Sequence, residues 1–149
     1  MIGALNESQV KGMLCSQALG RLACIKDNQP YIMPVIYTYD GDYIYAQADE
    51  AEPLDILREN PNVCFETDRY NHLNDWQSVV VLGAYEELDE AEKQQAETLL
   101  SRRVFPLLTK TSVHGQRAQA QETAVEAATI GGQMCRIRIS GMSGRFGRA

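Results

Sequence analysis

The chain has 149 residues, 44% hydrophobic and 23% charged, which fits one soluble globular domain and excludes a disordered, collagen-like or coiled-coil chain. No run approaches the roughly 20 apolar residues of a membrane helix. Met1–Gln9 lacks the basic start of a secretory leader, so a cytoplasmic protein without membrane partners is expected. The net charge of −6 is uneven: residues 40–92 carry fifteen acidic and two basic groups, an acidic middle that argues against nucleic-acid binding.

Asn6 with Gln9 forms a capping-box pattern, and Val10, Met13, Leu14 and Ala18 recur at helical spacing. A helix over about 7–18 follows, with Gly20 as its terminator. Leu22-Ala23-Cys24-Ile25 reads as a strand closed by the turn Lys26-Asp27-Asn28-Gln29. Tyr31–Tyr39, rich in β-branched and aromatic residues, is the next strand. Asp40-Gly41 is a hairpin signal, and Asp42–Ala48 returns as its partner. Pro34 places the first of these strands at an edge or a bulge. Strand alternation puts Ile32, Pro34, Ile36 and Thr38 on one face and Met33, Val35, Tyr37 and Tyr39 on the other. Both faces are largely apolar. One fills the core, and the other calls for a helix, a partner subunit or a flat ligand as cover.

Glu50–Pro61 is a short helix with Pro53 at its start, Leu54 and Leu57 on its buried stripe, and Asn60-Pro61 as its stop. Val63-Cys64-Phe65 begins a strand, Arg69–Asp75 reads as a polar loop, and Trp76–Leu88 is the longest strand pattern. Gly83 within it marks a bulge or a close approach. Asp89 with Glu92 caps a helix over about 90–103 that ends at Phe105-Pro106, with Ala96, Leu99 and Leu100 inward. Residues 109–132 are poor in large apolar groups and are expected to form a mobile excursion. Met134–Ser140 alternates as a half-exposed closing strand, and Gly141–Ala149 reads as a Gly/Arg tail. The elements describe one domain over 1–149, mainly β with flanking helices, and most economically a small antiparallel barrel, whose closure removes sheet edges.

Cys15, Cys24, Cys64 and Cys135 include no C-x-x-C pair and read as small buried apolar residues; with only His72 and His114 beside them, no metal site is expected. Gly-rich phosphate loops, G-x-S-x-G and H-E-x-x-H are absent. Carboxylate pairs such as Glu86-Glu87 read as solvated surface. Loop residue His72 has no visible partner for general base work. Trp76 is either a ring-stacking platform or a core anchor.

Gly20-Arg21-Leu22-Ala23, Pro30-Tyr31-Ile32-Met33-Pro34-Val35, Ile44-Tyr45-Ala46, Leu57-Arg58-Glu59-Asn60-Pro61-Asn62-Val63-Cys64-Phe65-Glu66 and Trp76-Gln77-Ser78-Val79-Val80-Val81-Leu82-Gly83 occur in an order and at spacings that together carry a resemblance. The chain resembles the FMN-binding split-barrel family, in its pyridoxamine-phosphate-oxidase-related, nitroimidazole-resistance-like branch, over about residues 6–102 and 133–146. The resemblance implies a split antiparallel β-barrel and a homodimer with two FMN sites across its interface. It would lay Met33, Pro34, Val35, Ile36 and Tyr37 along the isoalloxazine ring, bring Gln47 and Ala48 toward the phosphate, and set Trp76 and Ser78 near the flavin. The branch carries His-Ser followed by Gly-x-Lys or Gly-Lys-Lys before the short helix. This chain has Gln47-Ala48-Asp49-Glu50-Ala51-Glu52-Pro53, so the phosphate lysine aligns with Glu52 or Pro53. A carboxylate within about 4 Å of a phosphate costs a few kcal/mol at intermediate dielectric. Backbone N–H groups at the start of the short helix, or Arg136, Arg138 and Arg145, would have to offset it.

Three functions compete on this reading: an FMN-dependent oxidoreductase acting on a small molecule; a split-barrel homodimer that has lost the phosphate site and binds another planar molecule such as haem, or none; and a plain structural homodimer. No residue identifies a catalytic base.

Overall fold

A computed structural model describes residues 1–48, 52–109 and 133–149. Helix α1 spans Glu7–Ser16 and opens on the expected capping box, with Asn6 Oδ1 accepting from the Gln9 N–H and Gln9 Oε1 accepting from the Asn6 N–H, both at 2.9 Å. It ends two residues earlier than expected, at an extended Gln17, so Gly20 is not its terminator. Gly20 lies inside strand β2 (Leu19–Lys26), where a Cβ would stand 2.3 Å from the Phe65 ring; it is a packing glycine.

Strand β3 (Gln29–Tyr39) pairs with β2 through a tight turn in which Asp27 and Asn28 both take positive φ, the geometry favoured in two-residue hairpins. Strand β4 (Tyr43–Ala48) returns through Asp40–Asp42; the Asp40 side chain accepts from the Asp42 and Tyr43 N–H groups, and Gly41 supplies φ +103°. Among the described residues β4 pairs with Ile36–Tyr39 of β3, and Pro34, in the other half of the strand, pairs with β2 alone. β3 itself lies inside the sheet, between β4 and β2, so the edge position expected for this strand is found only locally, at Pro34.

Helix α2 (Glu52–Glu59) buries Leu54, Ile56 and Leu57 and stops before Pro61. Strands β5 (Asn62–His72) and β6 (Asp75–Glu86) form one long hairpin, so most of the loop expected over Arg69–Asp75 is paired strand, with Tyr70 opposite Trp76 and His72 opposite Asp75. Helix α3 (Glu90–Thr109) opens on Asp89, whose side chain accepts from the Glu92 N–H at 2.8 Å. It runs through Pro106 where a stop was expected. Ala96, Leu100 and Val104 bury a stripe against Leu88 and Met134, and that packing outweighs the one backbone bond a proline forgoes.

Strand β7 (Gln133–Arg148) extends through the segment read as a tail. Its glycines permit flush contact: a Cβ on Gly144 would meet Leu5 and Val10, and one on Gly147 would meet the Trp76 indole at 2.2 Å. Strand β1 (Ile2–Ala4), too short for any periodicity, pairs with this end of β7. The excursion expected over 109–132 lies, beyond Thr109, outside the described residues, as does the loop 49–51.

The sheet order β1-β7-β4-β3-β2-β5-β6, closed by a β6–β7 pairing, is an antiparallel barrel. Gly83 marks the register shift against β7, and a Cβ there would approach the Arg138 carbonyl to 2.4 Å; bulge and close approach coincide. Val35, Tyr37, Ile44, Phe65, Val79, Val81, Cys135 and Ile137 fill the barrel, and α1 and α2 contribute to the same core. Tyr37 meets Phe65 edge to face at 4.7 Å and donates to the Leu14 carbonyl of α1 at 2.8 Å. Helix α3 lies outside, over β3, β4 and β7.

Candidate functional site

Antiparallel partners share a face of the sheet, so the register places the outward residues of four strands together. Leu19 faces Ile36, Arg21 faces Pro34 and Ala23 faces Ile32 between β2 and β3. Arg21 faces Glu66 between β2 and β5, and Glu66 faces Val80 and Asp68 faces Ser78 between β5 and β6. Inward, Val35 and Tyr37 are buried. Outward, Ile32 is 71% and Ile36 41% exposed, and Leu82 on β6 is 55% exposed. The second apolar face anticipated for β3 exists, and no described residue of this chain covers its Ile32–Ile36 strip.

Polar groups interrupt that wall at one place. The Arg21 guanidinium donates to Asp68 Oδ1 at 2.5 Å and to Glu66 Oε2 at 3.4 Å, and Ser78 Oγ donates to Glu66 Oε1 at 3.0 Å. The bond to Asp68 holds the Arg21 pKa above its ordinary value, against a smaller opposing effect of burial. Behind the cluster the buried Thr67 hydroxyl donates to the Leu19 carbonyl at 2.9 Å and ties β5 to β2. Cys64, next outward on β5, has its thiol pushed up by burial and by Glu66.

The residues singled out from sequence fall into three groups. Pro34, Ile36 and Ser78 lie on the outward wall; Trp76 precedes Ser78 on the same strand with its indole packed on Gly147, which makes it an anchor of the barrel end. Val35 and Tyr37 face the interior, and Met33 packs against the same core. Gln47 is buried at the end of β4, in register with Ile36 and Met134. Ala48 follows it, and Glu52 opens α2 across the undescribed loop.

Arg136 stands apart from this wall. It lies under α3, donating to Glu92 Oε2 at 2.6 Å and Glu86 Oε1 at 3.3 Å, with its head group 4.5 Å from the Tyr43 ring centroid. Burial opposes its charge, and the two carboxylates more than offset that, so its pKa lies above the ordinary value. A guanidinium so committed is not a spare cation for a phosphate. Arg138 is exposed on β7, opposite Tyr43 and Ala84.

Sequence reasoning missed the Arg21–Glu66–Asp68 cluster. Its signal was present as alternating carboxylates, Glu66 and Asp68, in a strand otherwise read as core. A cavity of about 260 Å³ between α2, the end of β6 and α3 is lined by Arg58, Tyr85, Glu87 and Lys93. Arg58 is paired with Glu87 and Asp55, and Lys93 with Glu90, so it offers no free cation. Among the described residues no group of His, Cys, Asp or Glu is placed to hold a metal ion.

Comparison with known proteins gives this wall its context. The model of the pyridoxamine 5′-phosphate oxidase family matches residues 6–145. An uncharacterized protein of Rhizobium meliloti is 33% identical over 87 residues, a stretch that spans 58% of this chain and 58% of that relative, just over half its length. The crystal structure of a FAD-binding protein from Mesorhizobium loti superposes with a TM-score of 0.72 at 28% identity, covering 98% of each chain. A candidate 5-nitroimidazole antibiotic resistance protein from Bacteroides thetaiotaomicron shares the fold at 18% identity, with a TM-score of 0.69 over 99% of this chain and 89% of its own.

Proposed function

This chain belongs to the pyridoxamine 5′-phosphate oxidase family, a split-barrel fold, and from that premise we propose that it is a cytoplasmic homodimeric flavoprotein performing redox chemistry on a small molecule. One observation carries the reading: the apolar strip of Ile32, Pro34 and Ile36, which no described residue covers, borders a hydrogen-bonding cluster that ends at Ser78. A planar heteroaromatic ring needs both, an apolar floor and polar groups at its edge. The FAD-binding protein from Mesorhizobium loti, 28% identical, supports the same ligand class.

When bound, a flavin supplies the electron transfer, and the protein supplies placement and electrostatics. Ile32, Pro34 and Ile36 exclude water from one ring face. Ser78 and the Arg21 cluster address its polar edge, and Gln47, Ala48 and the first N–H groups of α2 lead toward the phosphate. The carboxylates Asp49, Glu50 and Glu52 follow in the sequence. Placed beside the phosphate, they would disfavour it, and the terminal dianion of FMN more than either singly charged diester of FAD. A second copy of the chain would cover Leu19, Ile25 and Leu82, which are exposed on the same wall. The free cysteines suit a reducing compartment.

The test is the visible spectrum of freshly purified protein, followed by titration with FMN and FAD and by the sedimentation mass. Flavin bands with a dimeric mass are expected. A colourless protein that ignores both flavins would leave a binding or structural homodimer, with haem the next planar ligand to titrate.

A further inference from the structure

Residues 28–39 carry no charge and are rich in aromatic and β-branched side chains, and among them Tyr31, Ile32 and Ile36 are exposed. Such a segment is a template for pairing with another chain wherever its edge is free. Among the described residues, the edge of β3 that faces away from β2 is free from Gln29 to Val35.

The register settles which backbone groups face that gap. The Tyr37 N–H donates to the Ala18 carbonyl at 2.9 Å, on the β2 side. Backbone direction alternates along an antiparallel strand, so Tyr31, Met33 and Val35 also point to β2. Pro30, Ile32, Pro34 and Ile36 point the other way, and Ile36 meets Gln47 of β4 there. Of the remaining three, Pro30 and Pro34 have no N–H. On the β2 side a proline would break the ladder; here the two remove donors only from the free edge. The Pro30 carbonyl is engaged as well, accepting from the Gln29 side chain at 3.5 Å.

We propose that Pro30 and Pro34 bar this edge against strand addition, so that a second copy of the chain engages β3 through its outward face and not through its edge. The usual edge device, a charged side chain, is missing from the whole segment, and the prolines stand in for it. The face-to-face part rests on the homodimer reading above; the edge part does not.

Ile32 is left with the one N–H on the free edge, which gives a test on the wild-type protein. In hydrogen exchange followed by NMR its amide should exchange about tenfold or more faster than those of Met33 and Val35, which bond to β2. A second test restores the donors. Pro30→Thr, Pro34→Thr and the double variant are compared with wild type by sedimentation over a range of concentrations, with near-UV circular dichroism as the check of fold. In a two-fold pairing of copies each restored N–H counts twice. The double variant should reach about twice the wild-type mass or more, and each single variant should do so only at about tenfold higher concentration. Ile32→Lys added to the double variant should return it to the wild-type mass or below. A natively folded double variant that keeps the wild-type mass at every concentration, association that survives Ile32→Lys, or a protected Ile32 amide overturns the proposal. If the double variant does not fold, the single variants and the Ile32 amide decide in the same way. A monomeric wild type whose double variant pairs would refute the homodimer reading and leave the edge assignment standing.

Discussion

The two sides of the barrel wall solve the same problem differently. On both, an arginine rises from the outward face between two carboxylates: Arg136 with Glu86 and Glu92 on one side, Arg21 with Glu66 and Asp68 on the other. Over the first the chain lays its own helix, and the Arg136 side chain is left 20% exposed; over the second it lays nothing described, and Arg21 stays 38% exposed. Around the first, Leu100, Val104 and Met134 are buried; around the second, Ile32, Ile36 and Leu82 are open. An apolar wall that the described residues leave open, while α3 covers the other side, is the surface on which a ligand or a second copy would gain the most.

The largest test of this difference removes a side chain from each half. Leu100→Ala, at a position 1% exposed, is expected to cost about 2–5 kcal/mol in denaturant unfolding. Ile32→Ala is expected to cost under about 0.5 kcal/mol in dilute protein, with an effect that grows with protein concentration because it is felt in association. Equal, concentration-independent costs would erase the distinction between the two halves.

The inward face of β3 gives the next effect. Tyr37 has no exposure, and burial pushes its phenol from an ordinary 10.0 up to about 12. Above pH 10 the unfolded phenol loses its proton while the folded one keeps it. The stabilisation is thus complete below pH 10 and is lost as the pH climbs from 10 to 12, about 2–3 kcal/mol in all. Urea unfolding across that range should show the decline. Tyr37→Phe should remove this residue's share of the slope, while Tyr85, also pushed up to about 12, retains its own.

Much of this architecture was legible because local chemistry and the fold agree. Both capping boxes, the Asp40-Gly41 hairpin, the bulge at Gly83 and the two apolar faces of β3 were readable from side-chain type and spacing alone. The failures share a cause. The outer half of the β5–β6 hairpin reaches beyond the core, so Arg69–Asp75 has no buried face and no alternation to betray a strand. Gly144 and Gly147 looked like a tail because their role is to let Leu5, Val10 and Trp76 come close, a property of distant partners. Gly20 misled in the same way. At the candidate site Ile36 and Ser78 were readable. The bond that gives Ser78 its direction joins it to a residue twelve positions away, and that residue meets Arg21 forty-five positions away. No local pattern reports such pairs.

The two arginines themselves separate at a smaller scale. Arg136→Ala leaves Glu86 and Glu92 close together without their cation, partly buried, and should cost about 1–3 kcal/mol in thermal or urea unfolding. Arg21→Ala in the isolated chain should cost under about 1 kcal/mol, since water solvates what it leaves. Its larger consequence should be on flavin binding or pairing. An Arg21→Ala loss as large as that of Arg136→Ala, in protein too dilute to associate, would mean the second wall is already closed.

The smallest predicted effect asks how far a ligand on the open wall extends. Gln47 and Ala48 end β4 beside Ile36, and α2 begins at Glu52, so a phosphate carried past Ile36 would arrive at the acidic stretch Asp49-Glu50-Ala51-Glu52. Glu52→Lys replaces one repulsion with one attraction. FMN, with its terminal dianion, should then bind about tenfold tighter, worth about 1.4 kcal/mol, while FAD should gain less because its phosphates are diesters. The gap between the two titrations should therefore narrow in the variant, and raising the salt concentration should shrink the gain. Unchanged FMN affinity in Glu52→Lys would place the phosphate away from the start of α2.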